Sequence, residues 1–120
     1  MHTLSRWILV MLVVLIARAV HAEADGPDHW EVVGVEAGDV LNIRQEPNDK
    51  SVKIGEIPPD GTCVKNIRCI GGLTFEEFTT LSEAEKSKIK KERPRWCYIE
   101  YKGTKGWVAG RYLREGFCRQ

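Results

Sequence analysis

Trp96-Cys97-Tyr98-Ile99-Glu100-Tyr101-Lys102-Gly103-Thr104-Lys105-Gly106-Trp107-Val108-Ala109 holds two runs of aromatic and β-branched residues around a Lys102-Gly103-Thr104 turn. Such runs suit a pleated, half-buried surface, so the passage reads as a β-hairpin with strands over 96–101 and 105–109. The same signature recurs upstream. Thr62 to Cys69 is rich in β-formers and comes after the turn signal Pro58-Pro59-Asp60-Gly61, and Ser51 to Ile57 is a further short strand. Val40-Leu41-Asn42-Ile43-Arg44 alternates, with Leu41 and Ile43 on one face and Asn42 and Arg44 on the other, until Glu46-Pro47-Asn48-Asp49 breaks it. Trp30 to Val35 makes a first strand, and a turn at 36–39 ends it. Many short strands with turns at close intervals predict a small all-β barrel or sandwich.

One segment breaks this rhythm. Between Cys69 and Cys97, Ser82-Glu83-Ala84-Glu85 matches a capping box and Pro94 supplies a stop, which together predict a helix over 83–92. Leu73, Phe75, Phe78 and Leu81 before it are expected to pin this insertion, residues 70–95, against the barrel. The cysteines are partly solved by reach. Cys63 and Cys69 on one extended strand would stand about 20 Å apart, against the roughly 6 Å between α-carbons that a disulfide spans. Two connectivities survive. Cys69–Cys97 with Cys63–Cys118 is favoured, because 69 and 97 end and begin the strands flanking the insertion. The first bond would clamp the insertion's base and close a loop worth about 3–4 kcal/mol, and the second would tie down the tail, 115–120.

Disulfides imply an oxidising compartment, and the amino-terminal segment provides the route to one. A short start containing Arg6, the apolar run Trp7 to Ile16 and Val20-His21-Ala22 read as a cleaved secretory signal over 1–22, too short and too soon interrupted by Arg18 to span a membrane. A polar leader, 23–29, comes next. The remaining 98 residues make one domain, with 16 bases against 17 acids, so global charge predicts no partner. With 42% hydrophobic and 29% charged residues, the chain can build a core.

Catalytic chemistry is hard to assemble from the remaining residues. His29 is the one histidine after the signal, and the cysteines are expected to pair, so neither a cysteine–histidine hydrolase nor a zinc site is expected. Glu76-Glu77 and Glu83/Glu85 fall in a solvated insertion rather than a cleft, and no phosphate-cradling loop or serine elbow occurs. The expectation is a protein that is not an enzyme and uses no cofactor.

Leu41-Asn42-Ile43-Arg44-Gln45-Glu46-Pro47, Ile54-Gly55-Glu56-Ile57-Pro58-Pro59-Asp60-Gly61-Thr62, Trp96-Cys97-Tyr98-Ile99 and Gly106-Trp107-Val108-Ala109-Gly110-Arg111-Tyr112-Leu113, in that order, resemble the bacterial SH3-type (SH3b) domain over about residues 30–114. The resemblance implies a small β-barrel of five to seven strands, exported and usually acting as a recognition module of the cell envelope. The sequence departs from the commonest pattern in the insertion, and many such domains are attached to a wall hydrolase. The expected fold is thus an SH3-like barrel with a short helical insertion, stapled by disulfides. Its expected role is non-catalytic recognition of a peptide or peptidoglycan-like ligand in the periplasm or outside the cell. Tyr98, Tyr101, Trp107 and Tyr112 would line the groove, and Arg44 would pair a carboxylate.

A second candidate surface is electrostatic. Lys86, Lys88, Lys90, Lys91, Arg93 and Arg95 set six bases in ten residues against Glu92, a patch suited to an anionic partner or to an envelope protein. Aromatic residues do not interleave with these bases, so nucleic acid is not expected.

Overall fold

The computed structural model describes residues 26–119, so the expected signal peptide and the start of the leader lie outside it. Seven strands form one antiparallel sheet: β1 (His29–Val32), β2 (Leu41–Arg44), β3 (Lys53–Ile57), β4 (Val64–Ile70), β5 (Trp96–Tyr101), β6 (Thr104–Ala109) and β7 (Leu113–Glu115). Two helices, α1 (Phe75–Thr80) and α2 (Glu83–Glu92), interrupt the series between β4 and β5, and a 3₁₀ turn (Gly110–Tyr112) links β6 to β7. The spatial order is β3-β2-β6-β5-β4-β1-β7.

Alternation along these strands sends every second side chain inward. Trp30, Val32, Leu41, Ile43, Ile57, Val64, Cys97, Ile99, Val108 and Leu113 form one buried cluster to which all seven strands contribute. A sheet that points all its strands at one core must wrap around it, which is the barrel the sequence leads one to expect. Burying side chains such as Ile43, Ile57 and Ile99 contributes about 1.5–3 kcal/mol each.

The hairpin β5–β6 forms as read, with Tyr101 opposite Thr104 and Trp96 opposite Ala109. Its loop is two residues, Lys102 (φ 47°) and Gly103 (φ 85°), both left-handed as a twist-matching I′ turn requires. Strand ends elsewhere shift for local reasons. β1 stops at Val32, before the chain turns at Gly34 (φ 72°), and β4 starts at Val64 because Cys63 (φ 57°) is itself left-handed.

The disulfides are Cys63–Cys118 and Cys69–Cys97. Cys69 lies directly opposite Cys97 on β4 and β5, with α-carbons 4.0 Å apart, so the bond closes the neck of the insertion.

The helix expected over 83–92 is α2, capped by Ser82 and Glu85. Of the four apolar residues before it, Leu73 and Leu81 are half-buried, but the two phenylalanines do not pin the insertion as expected. Phe75 and Phe78 are 83% and 60% exposed, because residues 75–80 form the separate short helix α1 under their own Thr74–Glu77 capping box. Neither helix buries a residue, and ionic contacts hold the pair instead: Arg93 bonds Glu77 and the Gly72 carbonyl, and Lys86 sits over the Phe78 ring.

Candidate functional site

A groove of about 1570 Å³ opens between the barrel and the insertion. Its floor comes from the solvent-facing positions of β2, β5 and β6: Asn42 and Arg44, Trp96, and Ala109. Alternation places them there, since Leu41, Ile43, Cys97 and Val108 take the inward positions between them. One wall is the β1–β2 loop with Glu36 and Asp39, the β2–β3 loop adds Asp49, and the opposite wall is the insertion with Leu73, Phe78, Lys90 and Lys91. The 3₁₀ turn closes one side with Arg111 and Tyr112.

Several bonds hold these parts in place. Arg44 donates from Nη1 to the Ser51 carbonyl at 2.9 Å, and Ser51 Oγ accepts from the Glu46 amide at 2.7 Å, which ties the β2–β3 loop to its strand. The Val33 amide donates to the Tyr112 carbonyl at 2.8 Å, joining the 3₁₀ turn to the β1–β2 loop. Arg95 anchors the turn from below. Its Nη2 donates to the carbonyls of Gly110 at 2.5 Å and Leu113 at 3.3 Å, and its guanidinium lies 5.0 Å from the centre of the buried Trp30 ring. Burial pulls this guanidinium below its ordinary pKa, though it stays charged. Gly110 has to be glycine beneath it, since a Cβ there would collide with the Arg95 side chain and lie 2.9 Å from the Arg95 carbonyl oxygen.

The aromatic residues singled out in the sequence divide. Tyr112 lines the groove together with Arg44. Tyr98 and Trp107 lie next to it on the outer face: Arg68, Tyr98, Trp107 and Arg44 are successive cross-strand partners on β4, β5, β6 and β2. The two rings meet edge-on at 5.2 Å, and the Arg68 guanidinium covers both at 5.1 and 5.3 Å, leaving Trp107 8% exposed. Trp107 thus caps the outside of the sheet. Tyr101 packs against the core with Lys102 over its ring, apart from the groove.

The basic run divides as well. Arg95 is engaged by main-chain carbonyls, Arg93 by Glu77, and Lys86 by Glu83 at 3.1 Å. Lys90 and Lys91 line the same groove as Arg44 and Tyr112, so the groove and the insertion, two separate surfaces in the sequence reading, share one cavity. Arg68 and Arg111 are additions from the structure that the sequence reading missed. Arg68 was within reach, because pairing Cys69 with Cys97 across antiparallel strands sets Arg68 opposite Tyr98.

Among the described residues no group of three or more histidine, cysteine or acidic side chains converges as a metal site would require, and no helix is long and apolar enough to cross a membrane. The described pair of disulfides accords with a location outside the cytoplasm.

Comparison with curated proteins and with solved structures finds no match. The family model of the bacterial SH3 domain matches residues 39–114, from the β1–β2 loop into β7, more than half the chain. Domains of this kind are generally binding modules, and with that match, the seven-stranded wrapped sheet and the ordered motifs, the chain belongs to the bacterial SH3 domain family.

Proposed function

We propose that this protein is an exported, non-catalytic binding module that recognises a peptide or peptidoglycan-like ligand of the cell envelope. The observation that carries the reading is the groove between barrel and insertion. It offers an aromatic side chain, Tyr112, an apolar rim of Leu73 and Phe78, and charges of both signs along its lining. Such a surface suits a short zwitterionic peptide better than a uniform polyanion, which the carboxylates of Glu36, Asp39 and Asp49 would repel. Arg44 and Tyr112 contact the ligand in this reading, Tyr98 and Trp107 extend the same face, and residues 1–22 are the export signal.

The test is co-sedimentation of the oxidised protein with isolated peptidoglycan sacculi at low salt and at about 0.3 M salt, where exposed charge pairs are largely screened. Binding that survives the higher salt supports the groove. Binding that is lost at high salt and also on replacement of Lys88, which lies outside the groove lining, favours a second reading, an envelope-partner module acting through the basic residues of 70–95. Absence of binding at both salts refutes wall recognition.

A further inference from the structure

We propose that the groove selects peptides ending in a free carboxylate, and that the insertion supplies the charges that make the selection. This rests on the groove reading above and names its ligand's recognised group. Four cations from three elements line the cavity: Arg44 from β2, Lys90 and Lys91 from α2, and Arg111 from the 3₁₀ turn. None of the four is within 4.0 Å of a carboxylate among the described residues. Their neighbours on the insertion behave differently, since Lys86 and Arg93 are consumed by Glu83 and Glu77. The insertion therefore pairs off charge within its own helices and keeps two lysines uncompensated on the wall that faces the barrel.

The arrangement is polar from side to side. Glu36, Asp39 and Asp49 all come from barrel loops, whereas Lys90 and Lys91 stand on the insertion. The charged residues that the insertion brings to the cavity are all cations, whereas the barrel side carries Arg44 and Arg111 among its carboxylates, so a terminal carboxylate is held at the insertion end. A single exposed lysine contributes little to binding. Neighbouring cations lining one concave site contribute more, and Arg111, its guanidinium 4.8 Å from the Tyr112 ring centre, adds a planar fork suited to a carboxylate.

The test uses the oxidised protein and two probes, the stem-type tetrapeptide L-Ala-γ-D-isoglutaminyl-L-Lys-D-Ala, whose one carboxylate is terminal, and the same peptide amidated at its terminal D-alanine, compared by calorimetric titration. The free acid is expected to bind about ten-fold tighter, the scale of one charge-assisted contact. Lys90→Gln/Lys91→Gln is expected to bring the acid's affinity down to the amide's, whereas Lys88→Gln, on the same helix but outside the cavity lining, keeps the preference. Because α2 buries no residue and glutamine is a good helix former, these substitutions leave the fold intact. Equal binding of acid and amide overturns the inference and leaves the groove reading standing. Failure of both peptides to bind overturns the two together. Displacement of the acid by inorganic polyphosphate at comparable concentration also overturns it, since the groove would then be reading charge alone.

Discussion

Replacing Arg95 by methionine keeps an unbranched apolar stem and removes the guanidinium with its charge and donors. In the native fold this guanidinium serves two carbonyls, Gly110 at 2.5 Å and Leu113 at 3.3 Å, and rests on the Trp30 ring. Gly110 and Leu113 are buried, so each carbonyl loses a partner where water reaches it poorly, a cost of about 1–3 kcal/mol for the shorter bond and less for the longer. Loss of the stacking on Trp30 adds about 0.5–1 kcal/mol. The guanidinium's own desolvation, seen in its lowered pKa, is relieved and offsets part of this. The net expectation is about 2 kcal/mol of destabilisation, or about 8–16 °C in Tm for a domain of this size. Urea unfolding monitored by tryptophan fluorescence reads the first number and calorimetry the second. Because Arg95 carries the turn that presents Arg111 and Tyr112, the amides of 110–113 should also exchange faster than in the native protein. An Arg95→Met variant within 0.5 kcal/mol of the native protein, with unchanged exchange at 110–113, would refute the reasoning.

Trp107→Ala is expected to cost about 3 kcal/mol, because the ring is nearly buried beneath Arg68 and beside Tyr98; a urea midpoint barely changed would show that the outer row contributes nothing. Removing either disulfide as an alanine pair should cost roughly 3–4 kcal/mol, given separations of 28 residues for Cys69–Cys97 and 55 for Cys63–Cys118. Only the Cys69/Cys97 pair should also weaken ligand binding, since it closes the neck of the insertion that carries Lys90 and Lys91; equal effects of the two pairs on Kd would contradict this. Glu77 has its pKa lowered chiefly by the backbone amide of Thr74, with Arg93 adding to the effect. Its contribution to α1 is therefore present above the ordinary glutamate range and is lost as pH falls through the lower folded value. The Thr74 amide resonance should report that transition, and Glu77→Gln should abolish it.

Legibility in the sequence depends on which signals are local. The β5–β6 hairpin and α2 were legible because a turn, a capping box and a stop residue lie within a few positions of the elements they bound. The cysteine pairing was legible from reach, which excludes Cys63–Cys69, together with the place of Cys69 and Cys97 at the ends of the strands flanking the insertion. Tyr101, a groove candidate by residue type, shares parity with the inward Ile99, which is why it packs on the core side. Phe75 and Phe78 are apolar by type, but the Thr74–Glu77 capping box starts a separate helix that carries them outward. The union of groove and basic insertion was beyond pattern reading. The direction in which the insertion leaves the barrel depends on its neck, where the Gly72 amide bonds the Arg93 carbonyl at 2.7 Å and the Gly110 amide bonds the Arg95 carbonyl at 2.7 Å. These contacts join residues distant in sequence and leave no periodicity. One consequence is that deleting residues 73–94 removes a wall of the groove itself.

The central claim is that ligand binds between the β1–β2 loop and the insertion. The most direct measurement is a ¹H–¹⁵N correlation titration of the oxidised protein with soluble stem tetrapeptide. The account predicts that shift changes gather at residues 35–44, at 90–96 and at 109–112, on both walls and the floor together. Changes confined to β3, β7 or the tail, or a spectrum that does not move at millimolar peptide, would contradict it.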